Sequence, residues 1–170
     1  YLLGADEIDT AKLGKAFVIY QGHHGDRGAH RADVVLPGAA YTEKDGTYVN
    51  TEGRVQRANR AVFPPGDARE DWAIIRALSA TLNRTLPFDS LAALRAALVA
   101  AHPTFSTLDA VQKAEWKSFG TAGAVVPGAV KSPIANYYMT DPISRASGTM
   151  AQCTEEFVNG KSTQKTGTHG

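Results

Sequence analysis

Cysteine is nearly missing from this chain: Cys153 is the only one in 170 residues. That excludes an internal disulfide framework and any metal cluster held by four cysteines of this chain. Cys153 itself reads as a small, half-buried hydrophobe near the end of a helix. Long apolar runs are missing too. Ala96–Ala101 is among the longest, far below the roughly 20 residues that a membrane span needs. An excess of one charge is missing as well, since 18 basic and 17 acidic side chains leave a net +1. No basic stripe interleaves with aromatics, which excludes a nucleic-acid footprint. The chain reads as soluble in itself, held at a membrane only through another chain. Its first residues show no basic n-region followed by an apolar stretch and no initiator methionine. Tyr1–Asp6 reads as a strand end and its loop, as in a chain that begins inside a domain.

What is present suffices for a core, with 43% hydrophobic residues. Lys15–Tyr20 is a mostly apolar run with the pattern of a strand buried on both faces, and Gln21-Gly22 begins the loop after it. Val34–Leu36 form a second short strand that stops at Pro37, which cannot donate to a ladder, and Gly38 lets the backbone turn. Asp45-Gly46 and Glu52-Gly53 punctuate two further extended runs, as in a hairpin. Strands so close together cannot make an independent doubly wound sheet, because parallel neighbours need long crossovers. Residues 1–60 are therefore expected to complete a larger α/β domain.

Helices follow. Asp67 and Glu70 have capping-box spacing, and Ile74, Ile75, Leu78 and Leu82 recur at helical period behind Trp72. Arg69, Arg76 and Arg84 are left for solvent, and Asn83 is a plausible stop. Asp89 or Ser90 caps a second helix striped by Leu91, Leu94 and Leu98, which ends before Pro103. Residues 118–136 are rich in Gly, Ala and Pro without any period, and read as an extended arm. Thr140 or Asp141 then caps, Pro142 fits a first helical turn, and a short helix is expected to about Phe157. The polar tail beyond is expected to be disordered.

The loop Gly22–Asp33 gathers His23, His24, His30, Asp26 and Asp33 after a strand, where α/β proteins place ligands. Its spacing matches no regular zinc pattern, and His23 and His24 would point apart on an extended backbone. A loop tied by His–Asp and Arg–Asp hydrogen bonds is the plainer expectation. Gly22, Gly25 and Gly28 do not have dinucleotide-fingerprint spacing, and no long helix follows them. No nucleophile elbow is present. Glu43 and Asp45 form a carboxylate pair that nothing in the spacing places in a cleft.

The strings Val34–Lys44 and Gly46–Gln56 resemble the molybdopterin-oxidoreductase superfamily. Gly22–Asp26, Ala68–Trp72 with Ile74–Ser79, and Tyr138–Ser147 narrow the resemblance to the large iron–sulfur subunit of respiratory complex I, of mitochondrial or α-proteobacterial type. The likeness runs in collinear blocks over roughly residues 1–155, with Ala101–Ala135 unaligned. It implies an α/β C-terminal fragment of a molybdopterin-oxidoreductase-like domain over 1–102. A poorly matched arm over 103–136, a motif with a short helix over 137–157 and a tail over 158–170 would follow. It implies a structural part of the peripheral arm, with no chemistry and no cofactor of its own. NADH-to-ubiquinone electron transfer would run through iron–sulfur clusters in the rest of the subunit, separately encoded or not included in this chain. The enzyme would be the whole proton-translocating complex, and no catalytic or metal-binding residue is carried over. Partners would be the N-terminal remainder of the subunit and other peripheral-arm subunits. The location would be the matrix side of the mitochondrial inner membrane, or the cytoplasmic side of an α-proteobacterial plasma membrane. The alternative is the C-terminal part of a true molybdopterin enzyme such as a formate dehydrogenase, with the loop after Tyr20 against a pterin. Tyr137, Tyr138 and Met139 cannot all face one surface from an extended backbone. With Arg145 of the same motif, they are the expected interaction residues.

Overall fold

A computed structural model of the chain describes residues 1–161, in two compact units that meet in sequence at Lys117 and Ser118. The first unit is built on a parallel sheet of β1 (Leu2–Leu3), β2 (Ile19–Gly22) and β3 (Val34–Pro37), in that order. Tyr20 pairs with Leu2 on one side and with Val35 on the other. The crossover from β2 to β3 carries only α1 (Arg27–Arg31), so parallel neighbours are joined here by less chain than the usual long helix.

The apolar run before Gln21 is displaced from its expected place. The strand starts at Ile19 and continues through Gln21 and Gly22, both of which pair with β3. Val18 and Tyr20 are buried, whereas Phe17 is 70% exposed. The run is thus covered on one side rather than on both.

β4 (Gly46–Val49) and β5 (Val55–Ala58) form the expected antiparallel hairpin. Its turn is closed by Gly53 N–H donating to Asn50 O, with Gly53 at φ 84°, a conformation that suits glycine.

The helix α2 (Asp71–Thr81) begins later than a capping box at Asp67 would place it. Asp67 instead lies in a turn, and Arg69 forms an isolated bridge: Arg69 N–H donates to Pro37 O, and Ala39 N–H donates to Arg69 O. Glu70 is the N-cap residue but does not cap. Its carboxylate accepts from Trp72 Nε1 at 2.6 Å. Asn83, at φ 54°, follows the end of the helix. In α3 (Leu91–Ala101), Ser90 rather than Asp89 is the cap, accepting from Ala93 N–H at 3.2 Å. Such caps contribute about 1 kcal/mol. Asp89 pairs with Arg76, which also donates to Phe88 O at 3.0 Å, so Arg76 locks the connection between the helices instead of facing solvent.

In the second unit no helix or strand is formed from Ser118 to Ile134. The single helix expected after Pro142 is split into α4 (Pro142–Ala146) and α5 (Gly148–Cys153). Ser147, at ψ 122°, breaks the first and caps the second. Asp141 caps α4, accepting from Ile143 N–H at 2.9 Å and Ser144 N–H at 3.0 Å. A π-helical turn, Thr154–Val158, ends the described helices. Asn159 and Lys161 are both bonded to Glu155, so residues 158–161 are held in place. The rest of the expected disordered tail lies outside the described residues.

Candidate functional site

The carboxyl ends of the parallel strands are where an α/β sheet would offer a ligand site. The crossover loops from Gly4 to Val18 and from His23 to Asp33 meet there over Tyr20. Asp6 is 1% exposed, and its carboxylate accepts from Tyr20 Oη and from Gly28 N–H, each at 2.9 Å. Burial, then the bond to Asp6, pushes the Tyr20 phenol above its usual range. Gly28 has no alternative: a Cβ there would lie 2.6 Å from Ala5 O and 2.8 Å from Tyr20 Cε2. The backbone N–H that opens α1 is thus taken by the chain's own carboxylate.

A second polar group lies beside it. Gln21 is fully buried, accepts from Tyr1 Oη and donates to Asp71 Oδ1 at 2.8 Å. The other oxygen of Asp71 pairs with Lys44. Burial and then the Asp71 charge hold the Tyr1 phenol above its usual range. Gly38 lets Asp71 come close, since a Cβ there would sit 3.0 Å from Asp71 Oδ1. These groups satisfy one another, which is the signature of a structural network rather than a poised acid or base.

His23 and His24 do not point apart. The backbone bends at both residues, and their Nδ1 atoms lie 2.6 Å from each other, so one ring donates and the other accepts. Burial, then His24 and Lys44, holds His23 below the usual imidazole range. In place of the expected Arg–Asp hydrogen bond, Arg31 and Asp33 form an ion pair at 3.8 Å, and Asp33 accepts from Val18 N–H at 2.7 Å. Among the described residues no group of three or more His, Cys, Asp or Glu could hold a metal ion.

The residues expected to make interactions all lie in the second unit. Tyr137 is 67% exposed, and its Oη lies 3.1 Å from Ser132 Oγ. Tyr138 stacks on Phe157 at 6.1 Å between ring centroids. Arg145 donates to Met139 O at 3.2 Å. The backbone therefore divides the three large side chains, turning Tyr138 inward and leaving Tyr137 outward. Asp6, Gln21 and Asp71 are the polar positions that sequence reasoning missed. A glutamine closing an apolar strand was the one available signal.

Residues 1–81 match the family model described as molybdopterin oxidoreductase. Residues 95–153 match the model for the C-terminal part of the NADH-ubiquinone oxidoreductase G-subunit. Along most of its length the chain is similar to NADH-ubiquinone oxidoreductase subunits. The mitochondrial NADH-ubiquinone oxidoreductase 78 kDa subunit of Candida albicans is 49% identical, over 92% of this chain and 23% of its own length. The NADH-ubiquinone oxidoreductase 75 kDa subunit of Reclinomonas americana is 47% identical, over 92% of this chain and 23% of its own length. The NADH-quinone oxidoreductase G-subunit of Rickettsia felis is 46% identical, over 91% of this chain and 23% of its own length. The chain spans less than a quarter of the length of the curated relatives it matches. The second family match also runs through 101–135, the stretch that shows no motif of its own.

The name of the first family raises the question of a pterin. The residues of this chain do not fit one: the N–H that could meet a phosphate is bonded to Asp6, and Gln21, Asp71 and Lys44 are bonded among themselves.

Proposed function

We propose that this chain is the C-terminal structural part of the large subunit of respiratory complex I. It would support NADH-to-ubiquinone electron transfer without carrying a redox centre. One observation carries the reading: a molybdopterin-oxidoreductase model and a C-terminal NADH-ubiquinone oxidoreductase model match successive parts of one chain. The second of these favours complex I over a formate dehydrogenase. The self-satisfied polar groups at the sheet's carboxyl end support a scaffold role.

Iron–sulfur clusters then belong to the remainder of the subunit. Partners are that remainder, on the same or another polypeptide, and neighbouring peripheral-arm subunits. The location is the matrix face of the mitochondrial inner membrane, or the cytoplasmic face of an α-proteobacterial one. No described helix is long and apolar enough to cross a membrane. We take residues 1–102 as the domain fragment, 103–136 as the arm and 137–157 as an interaction motif. Tyr137, Tyr138, Met139 and Arg145 are its contact residues, with Tyr137 outermost.

The exposed Phe17, Leu3 and Val35 beside a sheet of only three short strands support a domain completed by other chain segments. Expressed alone, the chain is expected to be aggregated or molten. A sharp cooperative melt of the isolated monomer would contradict this. In cells lacking the chain, peripheral-arm assembly and NADH–quinone activity should fall together and return on re-expression. Undiminished assembly without the chain would refute the reading.

A further inference from the structure

The helix α3 reads Leu-Ala-Ala-Leu-Arg-Ala-Ala-Leu-Val-Ala-Ala, with Arg95 as its only charge, yet none of its residues is buried. A helix that is apolar all round is normally covered on every side. On one side of α3, Leu91, Leu94, Arg95 and Leu98 line a hollow shared with Asp45, Tyr48, Glu70, Asp71 and Trp72. A second hollow of about 590 Å³, which shares Arg95 with the first, is lined by Ala92, Arg95, Ala96, Val99 and Ala100, with Arg57 of β5. No acidic residue lines it.

Arg57 and Arg95 thus both line the second hollow. Among the described residues neither Arg57 nor Arg95 has an ion pair, and the buried Nε of Arg95 has no hydrogen-bond partner. The nearby carboxylates are already engaged: Asp71 by Lys44 and Gln21, Glu70 by Trp72, and Asp45 by Arg60 N–H. A buried donor left unsatisfied is costly, and a guanidinium fork suits a carboxylate in bidentate geometry. Alanines at 92, 96 and 100 recur one turn apart and keep the ridge low, so a second helix can pack closely into it.

We propose that this outer face of α3 docks an acidic α-helix of another polypeptide, whose carboxylates pair with Arg57 and Arg95. Charge complementarity selects that occupant: an apolar hollow alone would accept any hydrophobic segment, but two unpaired arginines require anions within it.

The inference rests on the chain belonging to a larger assembly, and the test separates the two claims. Arg57→Lys and Arg95→Lys variants are placed in the tagged full complex, which is purified and treated with a water-soluble carbodiimide. This reagent joins an amine to a carboxylate in direct contact. Mass spectrometry should find each introduced amine coupled to Asp or Glu within one helix of a different polypeptide. The Arg57→Glu, Arg95→Glu double variant should lower retention of the chain in the complex at least about tenfold. An intact complex with no such cross-link overturns the docking alone. So does coupling to Glu155, Glu156 or a second copy, or protection of both arginines from dicarbonyl reagents by inorganic phosphate in the purified complex. If the tagged chain brings down no assembly, both claims fall.

Discussion

Asp6 and Tyr20 are hydrogen-bonded at 2.9 Å inside the first unit, each 1% exposed, and the same carboxylate holds Gly28 N–H. One buried acid therefore ties the loop after β1 to the strand β2 and to the crossover that follows it.

Replacing Asp6 with Ala strands a phenol and an amide N–H together. The expected loss is about 3 kcal/mol, against about 1 kcal/mol for Tyr20→Phe, which removes one donor and leaves the Gly28 bond. Thermal melts of the assembled complex, followed through this chain by limited proteolysis, check the order. Equal losses would show that the Gly28 bond contributes nothing.

Gly28→Ala should cost about 2 kcal/mol or more, because the added methyl meets backbone Ala5 O as well as the Tyr20 ring. Gly53→Ala, with open space around it but a positive φ, should cost about 1 kcal/mol. A reversed order in paired melts would count against the packing described at α1.

The Tyr20 phenol is held above its usual range by burial and by Asp6. Its contribution is fully present below the unfolded-state value near ~10 and is lost as pH rises through the folded one. Tyr20→Phe should therefore flatten the alkaline fall in stability. A profile unchanged by the substitution would contradict the cause assigned.

His23 shifts the other way, depressed by burial, His24 and Lys44. Its contribution is present above the unfolded-state value near ~6.5 and is lost as pH falls through the folded one. Imidazole resonances of the labelled chain in the complex should place His23 below the ordinary imidazole range, and His24→Ala should raise it. A His23 midpoint indifferent to His24 would contradict the paired geometry.

Tyr137 and Tyr138 should separate by readout. Tyr137→Ala is expected to weaken assembly by about 2 kcal/mol, the scale of a buried aromatic anchor, without loosening its own unit. Tyr138→Ala removes the stack on Phe157 and should raise proteolysis around Thr154–Val158. Truncation after Ser132 should reduce assembly while leaving iron–sulfur spectra of other subunits intact. Unchanged assembly yield and NADH–quinone activity would show the segment is dispensable.

The hairpin was legible because Asp-Gly and Glu-Gly bracket two extended runs, and turn chemistry is local. The leucine stripe of α3 was legible because its period is local too. The start of α2 was not: Asp67 has capping spacing, but it lies in a turn, and the bonds between Arg69 and the Pro37–Ala39 segment hold Arg69 out of the helix, a tertiary override that spacing cannot register. The same holds for Phe17, where apolar patterning marks a strand but not which side another element covers. In the site, the His pair was misjudged because the backbone bends at His23 and His24. Asp6 went unnoticed because its partners, Tyr20 and Gly28, lie far along the chain.

The central claim is that this chain is scaffold and carries no redox centre. Its most direct test is metal and pterin analysis of the complex purified through a tag on this chain. Iron and NADH–quinone activity are expected, without stoichiometric molybdenum, tungsten or pterin and without zinc sensitive to the His23→Ala, His24→Ala double variant. Stoichiometric molybdenum or pterin released from the assembly, together with formate oxidation, would contradict it.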